Sequence, residues 1–360
     1  MKSTLLDNRV AAIRRAHLDA GLRRAELDLS GGIDSAMMAG LLVLALGPEN
    51  VTLVHSRFST NPDQSDRAHQ LAKGLDCPLN DIDLTRLYGD LIATMVDCIY
   101  NAQFDLRGGA DKAEAFCEEI DFRIEQDPTI LGSIRSTLRA PIGRAFNRMT
   151  GGGLRHGTGN ECEDRWLRFY QKGGDGEVDS NPMAMLTKGE VYQLAWFLAK
   201  RLPNAAQALI DTIKATPSPD LWGTGDGHSD EAELLSWTGA PFTYSRIDVE
   251  TGEYSHVGTI ERMSRFLDLK ISPIIIGDTT NENVLFSPHA EPHWARLVTR
   301  AKESGYFDEF GRSEVETFLM AARKTERITR HKVNPNCPTY GTREELVRKG
   351  ILTNDLPVVD

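Results

Sequence analysis

The sequence predicts an α/β fold built on an open, mostly parallel sheet with helices on both faces. Through residues 8–87, short apolar runs alternate with longer amphipathic segments, the pattern of successive βα units. The first apolar run ends in Ser30-Gly31-Gly32-Ile33-Asp34-Ser35 and passes straight into a helix-like stretch. In open sheets of this type, ligands bind beyond the carboxyl ends of the strands, and this turn falls there.

The elements follow in order. Residues 8–22 place Val10, Ile13, His17 and Leu18 at helical spacing with arginines between them, a surface helix ahead of the first strand. Strands are expected at 25–29, 51–55 and 81–84, with helices at 35–46 and 64–75. Beyond Leu87 the pattern turns mainly helical, and Glu114, Glu118, Glu119 and Asp121 read as a solvated face. No internal repeat or low-complexity segment interrupts it.

Composition sets outer limits. A chain of 360 residues, 40% of them hydrophobic, buries a full core as one large domain or two small ones. No run reaches the ~18 apolar residues that a membrane span requires, and the amino terminus lacks the apolar core of a signal peptide. A cytoplasmic location with no membrane partner is therefore expected. The five cysteines are scattered and free of C-x-x-C pairs, which argues against a disulfide framework and against zinc or iron-sulfur sites. A net charge of -11 argues against nonspecific nucleic-acid binding.

The chemistry of the first loop follows from its residue types. Gly31 and Gly32 let the chain turn back tightly, so that successive N–H groups face an anion at a helix N-terminus. Ser30 and Ser35 add hydroxyl donors. Asp34 is an odd neighbour for a phosphate unless a cation lies between them, which points to Mg²⁺. No G-x-x-x-x-G-K-[ST] run occurs. The plainer alternative is a Ser/Gly turn that caps a helix, with Asp34 complementing the dipole.

A second block contains Gly157-Thr158-Gly159-Asn160-Glu161-Cys162-Glu163, then Lys172 to Asp179, then Asn181-Pro182 and Leu186-Thr187-Lys188. Pro217-Ser218-Pro219-Asp220-Leu221, Asp230-Glu231-Ala232-Glu233-Leu234 and His331-Lys332 follow. The first loop resembles that of the PP-loop ATP pyrophosphatases, and the ordered set resembles ammonia-dependent NAD synthetase. Ser56-Arg57-Phe58-Ser59 is similar to that family's Ser-Arg-Tyr-Ser. The resemblance covers most of residues 8–240 and the helix ending near Lys332. It implies an adenine nucleotide alpha hydrolase-like, Rossmann-like fold and a single synthetase domain over residues 1–360.

The resemblance also implies a reaction. Nicotinic acid adenine dinucleotide is adenylated by ATP, pyrophosphate leaves, and ammonia displaces AMP to form NAD. By the same resemblance, Asp34 and Glu163 are metal-associated carboxylates, with Glu161 left open as the alternative, and Lys188 reaches the ATP phosphates. Ser30, Gly31, Gly32 and Ser35 cradle the nucleotide. Thr158 and Ser218 are hydroxyl contacts near the phosphates, with Ser218 counted among the catalytic groups beside Asp34 and Lys188, and Arg57 contacts ATP. Lys172, Asp175, Asp179, His331 and Lys332 are associated with the dinucleotide. A homodimer is implied, and the helices after Leu87 exceed what is needed to cover a sheet, which makes them its expected source.

Departures from the family pattern and plainer readings stand beside this. Gly173 replaces the family's tyrosine, and Tyr170 or Trp166 is the aromatic residue that can compensate. Residues 98–130 and 237–312 look like insertions, and 336–360 like an added tail. Residues 157–160 can be a turn with Asn160 as cap, 172–179 a solvated loop, and Lys188 a surface lysine. His289 and His293, four apart around Pro292, read as loop residues. The glycine-bearing stretch 223–230 is the expected lid.

Among competing functions, a glutamine-dependent enzyme needs a glutaminase domain, yet 29 residues precede the phosphate loop and no G-x-C-x-G elbow follows it. Lys2 excludes an amino-terminal cysteine nucleophile. A tRNA-thiolating relative needs a basic face and paired cysteines. The remaining alternatives are another amidating ligase of GMP-synthetase type and a non-catalytic ATP-binding sensor.

Overall fold

In the computed structural model, which describes residues 2–126, 129–171, 173–217, 229–267, 291–329, 332 and 343–356, four strands form one parallel sheet. They are β1 (Ala25–Asp28), β2 (Val51–Arg57), β3 (Leu79–Asp83) and β4 (Leu154–His156), in the order β3-β2-β1-β4. Ala25 pairs with Val51 on one side and Leu154 on the other, so β1 is interior. The winding reverses there, because β2 and β3 add to one side of β1 and β4 to the other. This is a topological switch point, which opens a crevice beyond the carboxyl ends of β1 and β4.

Helices flank the sheet. α1 (Lys2–Ala20) begins six residues earlier than the sequence pattern predicts, because Leu5 and Leu6 are buried in the core. α2 (Ile33–Leu46) is apolar on all sides, and Met37, Met38, Leu41 and Leu42 are fully buried, as expected of a helix enclosed by other elements. It packs against β1, β2, α1, α7 (Lys188–Arg201) and α8 (Ala206–Lys214). α3 (Pro62–Gly74) starts with Pro62 behind an Asn61 cap whose side chain accepts from the Asp63 amide.

The predicted helical region after Leu87 is α4 (Thr85–Arg107), α5 (Ala110–Gln126) and α6 (Thr129–Met149). α6 lies on β1 and β2, and α4 and α5 form an antiparallel pair turned at Gly108, whose φ is 77°. Leu106 and Phe122 on this pair are 79% and 60% exposed.

A second apolar core gathers α9 (Asp230–Thr238), the hairpin β5 (Arg246–Ile247) and β6 (Tyr254–His256), α10 (Thr259–Phe266), α11 (Glu291–Glu303) and α12 (Arg312–Thr329). Phe242, Phe266, Phe307 and Phe318 fill it, and Trp166 and Leu167 reach into it from the segment after β4. α13 (Arg343–Arg348) returns to the first core, where Leu346 and Leu352 are buried. His293 lies in the first turn of α11 rather than in a loop, because Pro292 is tolerated where no intrahelical N–H is needed. His289 lies outside the described residues. Among the described residues, no helix is long and apolar enough to cross a membrane.

β4 was not legible as a strand because its middle residue is a buried arginine. Arg155 Nη1 donates to Glu26 Oε1 at 2.7 Å, and Nη2 donates to Asp28 and to the Arg139 carbonyl. A three-residue strand whose buried charge is neutralised by its neighbour leaves no hydropathy signal.

Candidate active site

The loop between β1 and α2 is held in a tight turn by its own hydroxyls. Ser30 Oγ accepts from Gly32 N at 3.2 Å and lies 3.0 Å from Ser35 Oγ, which also donates to the Gly32 carbonyl at 3.1 Å. Gly31 has φ +84°, and a Cβ there would lie 2.1 Å from the Gln64 carbonyl oxygen. Only glycine satisfies both constraints. At the N-cap of α2, Gly32 supplies no side chain, so no side-chain cap covers the first amides. An uncapped helix N-terminus at the mouth of a cleft is suited to an anion.

Facing this loop, the segment after β4 places a carboxylate and its support. Asn160 Oδ1 accepts from the amides of Cys162 and Glu163 at 3.1 and 3.2 Å, closing the turn, while its Nδ2 donates to Asp34 Oδ1 at 3.3 Å. Residues Cys162–Leu167 then form one wide helical turn. Across the cleft, Thr187 caps α7 in a reciprocal capping box with Glu190, which puts Lys188 at the first helical position. Lys188 Nζ donates to Asp34 Oδ2 at 2.5 Å and to Glu163 Oε1 at 3.1 Å. Three distant segments thus meet at one ammonium group.

The cleft contains ≈ 820 Å³ including its open mouth. Besides Asp34 and Glu163 it is lined by Asp164, Asp175 and Asp230, against the Lys188 cation. Burial by itself would lower the Lys188 ammonium, but Asp34, Glu163 and Asp230 outweigh it and hold it well above the ordinary lysine range. Burial raises Glu163 despite the opposing pull of Lys188. Desolvation also pushes Asp230 to about 6 and carries Asp164 well above the carboxylate range. So many carboxyl groups sharing one cation favour a further positive charge.

Asp34 and Glu163 bring hard carboxylate oxygens to the same ammonium, and oxygen donors of this kind suit Mg²⁺. No three His, Cys, Asp or Glu side chains among the described residues form a metal cage. Mg²⁺ commonly takes one or two carboxylates and completes its shell with water and substrate phosphate. Glu161 points elsewhere, fully buried and 3.6 Å from Arg343.

The other predicted residues fall into three groups. Ser30, Gly32, Ser35, Thr158 and Asp175 line the cleft with Asp34, Glu163 and Lys188. Asp175 Oδ1 accepts from Ser136 Oγ at 2.6 Å and from the Gln171 amide at 2.8 Å. Arg57, Asp179 and Lys332 are bonded within the fold and do not line the cleft. Arg57 donates to Asp81 at 2.7 Å and to Asp83 at 3.2 Å. Asp179 accepts from Arg144 and from the Arg155 amide. Lys332 donates to the Arg168 and Tyr170 carbonyls at 3.1 and 2.5 Å, and its own carbonyl accepts from Tyr170 Oη at 2.6 Å. Lys172, Ser218, His331 and residues 223–228 of the expected lid lie outside the described residues.

Several groups in or beside the cleft gain their place only from the fold. Tyr170 and Phe169 border the cleft, so of the two aromatic candidates near Gly173 it is Tyr170 that faces the site. Trp166 instead donates to Ser264 Oγ at 2.7 Å in the second core. Asp230 was legible as part of an ordered motif but not as a cleft residue, and Asp164 carried no pattern of its own. Tyr244, whose ring lies 5.1 Å from Lys188 Nζ, comes from the segment that the sequence marks as an insertion.

Comparison with known proteins yields consistent matches. A family model described as NAD synthase matches residues 5–250. The chain is 31% identical over 234 residues to the NH(3)-dependent NAD(+) synthetase of Methanosarcina acetivorans, covering 63% of this chain and 75% of that one. It is 29% identical over 227 residues to the protein of the same name from Fusobacterium nucleatum subsp. nucleatum, covering 62% and 72%. The solved structure of NMN synthetase from Francisella tularensis superposes with a TM-score of 0.53 at 20% identity, over 84% of this chain and 94% of that one. A glutamine-dependent NAD(+) synthetase from Cytophaga hutchinsonii gives 0.58 at 13% identity, over 93% and 50%. At these identities the structural likeness speaks to the fold.

Proposed function

The chain belongs to the NAD synthase family, and we propose that it amidates nicotinic acid adenine dinucleotide to NAD with ATP and ammonia, releasing AMP and pyrophosphate. The observation that carries this reading is the Lys188 ammonium held between Asp34 and Glu163 beside the uncapped N-terminus of α2. The same groups that hold the lysine suit a triphosphate with its cation.

The acceptor carboxylate is a poor electrophile, so the reaction needs an activated acyl group. A carboxylate oxygen attacks the α-phosphorus of ATP, the bond to the β-phosphate breaks, and pyrophosphate departs with the electron pair. Negative charge grows on phosphate oxygens as this occurs. The amides at the head of α2 and the Lys188 ammonium meet that charge, the electrostatic contribution expected of such a site. When bound, Mg²⁺ would be held by Asp34 and Glu163 and would neutralise the departing pyrophosphate. Ammonia then attacks the acyl carbon through its lone pair, AMP leaves, and the surplus proton passes to solvent or to a cleft carboxylate. No covalent bond to the enzyme is required.

Around this centre we assign Thr158 and Ser218 to the phosphates and Arg57 to ATP, the latter after release from Asp81 and Asp83. Lys172, Asp175, Asp179, His331 and Lys332 are assigned to the dinucleotide. Residues 1–360 act as one synthetase domain in the cytoplasm, with insertions at 98–130 and 237–312 and a tail at 336–360. The apolar side chains exposed on α4 and α5 support a homodimer through that layer.

The test is a reaction of purified protein with ATP, Mg²⁺ and nicotinic acid adenine dinucleotide, with ammonium or glutamine as nitrogen source. AMP, pyrophosphate and NAD are expected in equal amounts with ammonium. Parallel reactions with nicotinic acid mononucleotide and xanthosine monophosphate check the acceptor. Preference for either of these, or ATP binding without AMP formation, would overturn the assignment.

A further inference from the structure

Arg343 opens α13 in the tail, far beyond the residues 5–250 that match the family. It is 1% exposed and engages α7 with both terminal nitrogens. Nη1 donates to Glu190 Oε2 at 3.1 Å, and Nη2 donates to Glu190 Oε1 at 3.0 Å and to the Thr353 carbonyl at 2.7 Å. Nη1 also lies 3.6 Å from Glu161 Oε2. A guanidinium presents a rigid fork that no other side chain reproduces, so this contact fixes direction as well as charge.

Both carboxylates belong to segments that build the site. Glu190 Oε2 accepts from the Thr187 amide at 2.9 Å, closing the capping box that sets Lys188 at the head of α7. The Glu161 amide donates to the Leu186 carbonyl at 2.8 Å. Glu161 also stands between Asn160, which bonds Asp34, and Glu163, which bonds Lys188. One guanidinium therefore spans the two backbone segments whose side chains meet in the cleft. Arg265 of α10 adds a second cation, with Nη2 3.0 Å from Glu190 Oε1 and 3.3 Å from Glu261 Oε1.

We infer that Arg343 is a positioning residue, which makes the carboxyl-terminal tail part of the working enzyme. By bridging Glu190 and Glu161 it sets the gap between the α7 N-terminus and the turn carrying Glu163, and hence where the Lys188 ammonium stands relative to the phosphates. The inference rests on the proposed role of Lys188 toward ATP. Its structural half, the coupling of two segments through one side chain, is measurable without any reaction. Arg265 continues to occupy Glu190 when Arg343 is lost, and Leu346 and Leu352 keep α13 in the core.

The test uses the full chain with Arg343→Ala and Arg343→Lys, read by steady-state AMP formation and by amide hydrogen exchange. In Arg343→Ala, kcat is expected to fall about 10²-fold with KM for ATP little changed, since displacement of a reacting group by about 1 Å has that scale of effect. Millimolar guanidinium should restore part of that loss in Arg343→Ala and nothing in the parent. Exchange should quicken at residues 186–191 and 160–163 together, with Arg343→Lys intermediate. If Arg343→Ala fails to fold, the lysine variant carries both readouts alone. A kcat within about twofold of the parent, or exchange unchanged in either segment, would overturn the inference. Should the parent itself form no AMP, the proposed reaction fails and the exchange measurement still decides the positioning role.

Discussion

Lys188 Nζ and Asp34 Oδ2 stand 2.5 Å apart, although 153 residues of chain separate them, and Glu163 completes the contact at 3.1 Å from the same nitrogen. Lys188 is 3% exposed, so its charge is held by partners and not by water. An ammonium buried this way costs free energy unless those carboxylates, or a phosphate in their place, offset it. Replacing it with alanine removes the cation that meets growing phosphate charge, and Lys188→Ala should lower kcat for AMP formation by about 10²- to 10³-fold. Single-turnover pyrophosphate release checks this, and a rate near that of the parent would contradict the assignment.

Asp34 is partly exposed at the cleft, so Asp34→Ala should leave the fold intact while removing a metal-directed carboxylate. Mg²⁺-dependent AMP formation should fall by about 10²-fold or more. Titration with Mg²⁺ is the check: a half-saturating Mg²⁺ concentration unchanged from the parent would show that Asp34 does not hold it.

The pH dependence follows from the buried acids. Burial pushes Glu163 up from 4.5 to about 7 and Asp230 up from 3.8 to about 6. Folded values above unfolded ones mean that the folded chain binds more protons across these windows. The contribution of both groups to stability therefore declines as pH rises through them. Mg²⁺ competes with the same protons. Its apparent affinity should weaken as pH falls through about 7, with the acidic limb of activity moving to lower pH at higher Mg²⁺. An acidic limb independent of Mg²⁺ concentration would count against this.

Gly31→Ala tests the loop. The added methyl would meet the Gln64 carbonyl at 2.1 Å in a backbone with φ +84°. The turn must open, at a cost of about 1–3 kcal/mol. A lower thermal midpoint together with loss of ATP binding is expected, and calorimetry measures both. Unchanged ATP affinity would mean that the loop does not cradle the phosphates.

For assembly, Leu106→Glu with Phe122→Glu replaces two exposed apolar side chains of α4 and α5 with charge. Sedimentation velocity should show the dimer weakened by about tenfold or more. A parent chain that sediments as a fully active monomer would rule the dimer out.

Much of this architecture was legible because its signals are local. The loop at 30–35 declares itself through two glycines after an apolar strand, and Lys188 through its place in the ordered run Leu186-Thr187-Lys188. β4 was hidden because Arg155 is buried by neutralisation and not by apolar character, which hydropathy cannot register. Asp164 and Phe169 join the cleft only through tertiary folding, and the Tyr244 ring comes to 5.1 Å from Lys188 Nζ in the same way. Arg57 and Asp179 show the converse limit: residue type and order marked them, while their side chains are bonded to Asp81, Asp83 and Arg144. The tail carries no motif at all, yet Arg343 reaches the helix that presents Lys188.

The adenylate is the centre of the proposed chemistry, and oxygen transfer tests it most directly. Nicotinic acid adenine dinucleotide labelled with ¹⁸O in its carboxylate would be converted with ATP and ammonium, and the products read by mass spectrometry. Attack of the carboxylate on the α-phosphorus predicts one labelled oxygen in each AMP and the other in the amide. Unlabelled AMP, or ADP in its place, would contradict the account.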